Sequence, residues 1–340
     1  MRLVRVEYGD EVTLRLLKSG KMRLSRRILE KVNSRLVQRI NELYHDLEGG
    51  LYDERHEGIL HFEQVFWEGA AEKYLVNESP TVCLDYGTGT GFVPLTIGRW
   101  LKEGDSLICC DLSGEMLKVC EDRVKASDAA CKCSFRKIEG TKIPVEDNSV
   151  DAITVNAVLH HVYDLGSFAK ECERILRPGG IWIVAHEPNK DARLPFPGNA
   201  VRGLAKLIFK PKTVFFKIAG NIPLAEGVMR RILSKTSKSY RVRNKMLGQI
   251  AHRLREEGLI DFDLRGTEIQ QVVDIHTQYG FDAQELLQNV FTGFELVELE
   301  TFNHLGFSTR GKWAEKIDGY IKKKWPDAGK GLRLVLKNKS

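Results

Sequence analysis

The run LDYGTGTG at residues 84–91 decides how this chain is read. An apolar stretch, 81–84, leads into it, and a helical pattern starts near Phe92. The run therefore covers the end of a strand, a tight turn and the start of a helix. Asp85, Gly87, Gly89 and Gly91 set the spacing D-x-G-x-G-x-G. Glycines in such a turn either take positive φ or let a ligand or a helix come close to the backbone. The helix start that follows offers unpaired N–H groups and partial positive charge. A second apolar run, 106–110, ends at Asp111, 20 positions after Gly91. A nucleotide-binding unit places a carboxylate there for ribose hydroxyls. The dinucleotide fingerprint wants G-x-G-x-x-G. Here the third glycine comes one position early, and Asp85 stands inside the turn. A carboxylate in that place repels a pyrophosphate and attracts a cationic ligand, such as one carrying an ammonium group.

Three more stretches follow in order: CDLS at 110–113, VDAITVNAVLHHV at 150–162 and ILRPGGIWIV at 175–184. With LDYGTGTGF they resemble the class I S-adenosylmethionine-dependent methyltransferases, in the branch that includes quinone and other small-molecule methyltransferases. The resemblance covers residues 74–189, with a fainter echo at 293–301. It implies methyl transfer with S-adenosylmethionine as cofactor. It implies that Gly87, Thr88, Gly89 and Gly91 back the cofactor's amino-acid end and that Asp85 helps hold its ammonium. Asp111 then takes the ribose hydroxyls, with Leu112 and Met116 against the adenine. Glu139 and Gly140 fall where the family places an acidic residue near the adenine amine, although Glu stands here for the commoner Asp. Asn156 and Ala157 line the floor.

Strands are expected near 82–84, 107–110, 133–138, 152–155 and 181–185, and helices near 93–102, 115–126 and 165–176. Arg177-Pro178-Gly179-Gly180 should stop the last helix and turn into the strand. Such alternation implies an α/β fold with ligands beyond the strand carboxyl ends. The resemblance makes it a Rossmann-like, doubly wound seven-stranded sheet. The sheet is mostly parallel, closed by an antiparallel C-terminal hairpin from 294–301 and 331–337. His160 and His161 follow the fourth strand. Histidine titrates near neutral pH and can take a proton from a hydroxyl, so both are candidate catalytic bases, His161 first. The other reading has one of them only packing or hydrogen-bonding. His186 and Glu187 at the next strand end are a reserve pair toward the substrate. Tyr52 is a further substrate candidate, in a stretch dense in His56, His61, Phe66 and Trp67. A helix here often folds over the cofactor in the resembled family. An ordinary amphipathic helix is the alternative.

The chain has 340 residues, enough for two domains or one enlarged domain. Four parts are expected: an accessory region 1–73, a cofactor-binding core 74–189, a basic helical cap 190–265 and a completion of the sheet 266–340. The accessory region should open with a hairpin over 1–20, followed by a helix capped by Ser25 and carrying Leu29, Val32, Leu36, Ile40 and Leu43 at helical spacing. No apolar run is long enough to span a membrane, and residues 1–12 lack the apolar core of a signal peptide. Seven cysteines without a C-x-x-C pair read as reduced thiols in a cytoplasmic protein. Zinc-type spacing is absent, so no metal is expected.

Charge is unevenly spread. Segment 193–255 holds 15 Lys or Arg and one acidic residue, Glu226. Outside it 37 basic residues face 45 acidic ones, so the formal balance changes from +6 to −8. Val201, Leu204, Ala205, Ile208 and Phe209 should form one packed helical face, and Leu247, Ile250, Ala251 and Leu254 a second. A basic amphipathic segment suits a solvated cap, an anionic membrane surface or a phosphate-bearing acceptor. The favoured acceptor is a small, lipid-like molecule, with peripheral contact to anionic membrane. An RNA methyltransferase using this segment as an electrostatic footprint is the rival. A cofactor-binding scaffold without activity is opposed by the intact glycines and Asp111.

Overall fold

The structure is a computed structural model. It describes residues 31–49, 52–209, 238–277, 280–306 and 312–340, and among these all side chains except those of 52–62 and 238–240. The expected hairpin at 1–20, the Ser25 cap and residues 210–237 of the basic segment lie outside the described residues.

Five strands run parallel: β1 (Val82–Tyr86), β2 (Ser106–Asp111), β3 (Lys132–Lys137), β4 (Val150–Asn156) and β5 (Leu176–Pro188). Then β6 (Phe294–Phe302) and β7 (Gly331–Asn338) pair antiparallel, and β7 pairs antiparallel with β5. The sheet order is β3-β2-β1-β4-β5-β7-β6. Strand residues alternate between two cores, as period 2 requires. Leu84, Cys110, Ile153, Val155, Trp182, Val184, Leu334 and Leu336 face one side, against Phe168 and Cys172 of a helix at Leu165–Ile175. Cys83, Leu107, Cys109, Ala152, Ile183 and Val335 face the other, against Trp67, Val93, Ile97 and Leu117. All seven cysteines are free thiols.

The helices are α1 (Ser34–Glu48), α2 (Tyr52–Tyr74), α3 (Phe92–Ile97), α4 (Gly114–Lys125) and α5 (Leu165–Ile175) up to β5. After it come α6 (Phe196–Phe209), α7 (Lys238–Glu256), α8 (Gly266–Val273), α9 (Ala283–Asn289) and α10 (Lys312–Lys324). The described part of the first helix is capped by Asn33, whose Oδ1 accepts from Leu36 N at 2.9 Å. Helix α3 ends sooner than its apolar pattern predicts, because glycine at 98 has poor helical propensity and the chain turns there. The Arg177–Gly180 turn does not precede β5 but sits within it as an irregularity. Val150 pairs with Leu176, and the ladder resumes at Ala152 and Ile181.

A third core stands apart from the sheet. Leu36, Val37, Ile40 and Leu43 of α1 pack with Leu247, Ile250 and Leu254 of α7 and Ile269 and Val272 of α8. A fourth joins α6 to α10 through Ala205, Ala314 and Ile321. Here the expected face of α6 is corrected. Arg202 turns inward and donates to the carbonyls of His304, Ala192 and Ala328 at 2.7–3.0 Å. That fixes the helix with Ala205 inside and Leu204 and Ile208 exposed. Among the described residues no helix is long and apolar enough to cross a membrane.

Candidate active site

The sheet order reverses between β1 and β4, and a crevice opens beyond the strand ends at such a switch point. The glycine turn lies there. Gly87 N and Thr88 N both donate to the Cys110 carbonyl, at 2.8 and 3.0 Å, and so bind the turn to β2. Gly87 has φ 73°, and a Cβ on it would stand 2.4 Å from Val158 Cγ2. Gly91 caps α3 and is packed against Cys120. Gly89 differs: its φ is 52°, yet a Cβ there would meet nothing within 4 Å. Two glycines therefore serve the fold, and the middle one faces open space.

That space is a cavity with about 910 Å³ of empty volume, its open mouth included. This is the size range of small-molecule sites. Gly87, Gly89, Asp111, Leu112 and Met116 line one wall, and Gly140, Asn156 and Ala157 another. Helix α1 forms the roof with Val37, Gln38, Asn41 and His45. The cover comes from this helix, whereas α2 packs on the sheet through Trp67, Ala70 and Ala71. Trp67 Nε1 donates to Asn156 Oδ1 at 3.0 Å and sets that amide. Asp111 accepts from Gly89 N at 2.7 Å and Ser113 N at 2.8 Å. Burial pushes its carboxyl up to about 6, against the pull of those N–H groups.

Four residues named for the cofactor from the sequence do not line this cavity; one is Gly91, packed against Cys120. Asp85 lies under the turn, 2% exposed, and accepts from Thr154 Oγ1 at 2.6 Å. Burial pushes it up to about 7, while bonds from Thr154 and Thr88 pull down. Thr88 is buried against Cys120. Glu139 is exposed and lines a separate cleft beside Gln38 and Arg39. Tyr52 is the first residue of α2, and its side chain lies outside the described residues.

A second cavity adjoins the first and shares Asn156, Ala157, His45 and His161 with it. His160, His186, Glu187, Phe302 and Lys330 also line it. Glu187 is 1% exposed and builds the turn at 159–161: Val158 N and Leu159 N donate to Oε1 at 2.7 and 2.8 Å. His160 N, at 3.2 Å, and His160 Nδ1, at 2.8 Å, reach Oε2. Burial pushes Glu187 up to about 7. Burial, then the neighbouring His186, pushes His160 down to about 3. Burial, then His160, pushes His161 down to about 4. At His161, Asp274, the Val273 carbonyl and Glu187 work the other way, but burial of the imidazole dominates. Both rings are neutral at pH 7, and such low values weaken them as general bases.

His186 sits at φ 60° where β5 shifts register against β7, and its Nδ1 lies 3.0 Å from Glu63 Oε1. Glu63 is fully buried and also takes Arg333 Nη2 at 3.0 Å. The Arg333 guanidinium is stacked between Phe66 and Phe302, at 4.3 and 4.1 Å from the ring centres. Sequence reading missed this network. Its one signal was an arginine between Leu332 and Leu334 in an apolar strand.

Residues 84–184 match a family model described as a methyltransferase domain. The ubiquinone/menaquinone biosynthesis C-methyltransferase UbiE of Geotalea daltonii is 36% identical over 101 residues, 30% of this chain and 43% of that protein. The demethylmenaquinone methyltransferase of Bacteroides fragilis is 27% identical over 183 residues, 51% of this chain and 74% of that protein. Among solved structures, a SAM-dependent methyltransferase from Aquifex aeolicus is 26% identical with a TM-score of 0.32, over 37% of this chain and 68% of that one. The chain spans about half the length of the first curated relatives it matches. The sheet order and the glycine turn agree with the family match, which makes residues 84–184 a methyltransferase domain.

Proposed function

We propose that the protein transfers a methyl group from S-adenosylmethionine to a small, amphiphilic acceptor held in the second cavity. The observation that carries this reading is the open space over Gly89, walled by Asp111, Leu112 and Met116 and roofed by α1. The residues suit the cofactor. Asp111 accepts two backbone N–H groups and, with about four acceptor sites on a carboxylate, keeps room for ribose hydroxyls. Leu112 and Met116 offer apolar surface to a purine. When bound, the cofactor supplies a methyl group on a cationic sulfur whose displacement as a neutral thioether is favourable. The chain's own task is to align the acceptor and keep water out, and alignment can supply about 7–11 kcal/mol of the barrier. His161, shared by both cavities, stands at their junction as the first candidate for orienting the acceptor.

The names of the relatives point to quinone-type acceptors. A cavity that combines Val273, Pro188 and Phe302 with histidines suits such an amphiphilic ring. Access from a lipid surface fits the exposed apolar residues of α6 and α10. Calorimetry tests the core of the reading. S-adenosylhomocysteine should bind with a micromolar constant, about −8 kcal/mol. Gly89→Val should lose that binding because its side chain enters the open space; the φ of 52° strains a β-branched residue, so its melt should stay cooperative at a lower temperature. Absence of heat with the native protein sinks the assignment. Mass spectrometry of small molecules that co-purify with the protein then identifies the acceptor.

A further inference from the structure

Both histidines of the second cavity are anchored through Nδ1. His160 Nδ1 lies 2.8 Å from the Glu187 carboxylate, and His161 Nδ1 lies 2.7 Å from the Val273 carbonyl. A carbonyl only accepts, so His161 carries its hydrogen on Nδ1 and a lone pair on Nε2. Glu187, already the acceptor for three backbone N–H groups, fixes His160 in the same tautomer. Metal-binding imidazoles are held in this way, with one nitrogen on a carboxylate or carbonyl and the other bare. The two rings lie side by side, their centres 4.1 Å apart. Asp274, just past the end of α8, has its carboxylate 3.8 Å from His161 Nδ1, on the N–H side of that ring. Ligand atoms from His160, His161 and Asp274 all lie within 4.8 Å of one another.

We propose that His160, His161 and Asp274 form a binding site for a divalent transition-metal ion of the zinc type. Two imidazoles and one carboxylate are the ligand chemistry of Zn²⁺ and Co²⁺. With bonds of about 2.1 Å, tetrahedral ligand atoms stand about 3.4 Å apart, so loading must carry the Asp274 carboxylate from the Nδ1 side of His161 toward its bare Nε2. Three protein ligands leave a fourth position, as in catalytic zinc sites. All three residues line the second cavity, so that position faces the acceptor space, an assignment that rests on the methyl-transfer reading above. A metal there holds an acceptor oxygen and lowers the pKa of its proton.

The test uses tag-free full-length protein, stripped with a chelator and titrated with Co²⁺. The visible absorption of tetrahedral Co²⁺ reports the site, and competition with Zn²⁺ reports its preference. One Co²⁺ per chain, displaced by Zn²⁺, is expected. Asp274→Asn and His161→Ala should each weaken binding by at least about 100-fold, beyond the range for loss of an anchoring partner. His252→Ala, on the exposed face of α7, should leave it unchanged. Each variant is also melted and titrated with S-adenosylhomocysteine. Loss of the Co²⁺ spectrum in variants that melt cooperatively and bind S-adenosylhomocysteine as the native protein does supports the site. No spectrum with native protein, or equal Co²⁺ binding by Asp274→Asn, His161→Ala and His160→Ala, overturns it. Co²⁺ binding without any S-adenosylhomocysteine binding would instead sink the methyl-transfer reading and leave the metal site standing.

Discussion

Two buried carboxylates share the ground beneath the glycine turn, and burial pushes Asp85 up to about 7 and Asp111 up to about 6. For Asp85 the ordinary value is 3.8. Between 3.8 and about 7 the folded protein keeps a proton that the unfolded chain has released. Stability therefore falls as pH rises through that window. The full effect is at most about 4 kcal/mol, at about 1.4 kcal/mol per unit. Asp85→Asn keeps an acceptor for Thr154 Oγ1 and removes the charge. Its melting temperature should exceed the native value at pH 8 and converge with it near pH 4; equal melting at pH 8 would refute the account. Asp111→Ala has a double consequence. The sequence alone predicts weaker cofactor binding with the fold untouched. The structure adds two backbone donors, Gly89 N and Ser113 N, that lose their acceptor. An unsatisfied buried donor costs about 1–3 kcal/mol, so melting temperature and S-adenosylhomocysteine affinity should both fall. An unchanged melt would show that water replaces the carboxylate freely.

At the scale of elements, α1 is the part whose role the sequence could not show. Its apolar stripe says that it packs, but not against what, since its partners in α7 and α8 lie some 200 residues away. The glycine turn and the strand ends were legible because their signal is local spacing. Asp274 and Arg333 carry no spacing signal, because only the fold brings them to the histidines and to Glu63. The face of α6 was misread for a similar reason: three distant carbonyls attract Arg202 and set the helix's rotation. The roof can be tested at its start. Asn33→Ala removes the cap of α1, which costs about 1 kcal/mol locally. Stopped-flow measurement should show S-adenosylhomocysteine leaving several-fold faster, with little change in overall melting. An unchanged dissociation rate would separate α1 from the gating of the site.

Over the whole molecule, large exposed apolar side chains gather on α6 and α10. Phe196 is 86% exposed and Trp313 73%, with Leu204, Leu207, Ile208 and Tyr320 also open to solvent. Lys316 lies over Trp313 at 5.3 Å and Lys324 over Tyr320 at 6.0 Å. Aromatic rings with lysines beside them suit the headgroup layer of a membrane. Segment 193–255, of which α6 is part, carries 15 basic residues against one acidic. Each basic residue near an anionic surface contributes about 1 kcal/mol, so engagement of a few would hold the protein reversibly. Screening shortens to about 8 Å at physiological ionic strength, and salt should therefore weaken the association. Co-flotation with phosphatidylserine-containing vesicles should exceed that with neutral vesicles, and high salt should reduce it. Leu204→Ser with Ile208→Ser touches exposed side chains only, so folding should be unaffected while flotation falls several-fold. Trp313→Ala should act in the same direction. Binding to RNA with none to vesicles would favour a nucleic-acid acceptor for the basic segment. Indifference to both would leave these helices as a solvated cap and make the acceptor a soluble metabolite reaching the second cavity from water.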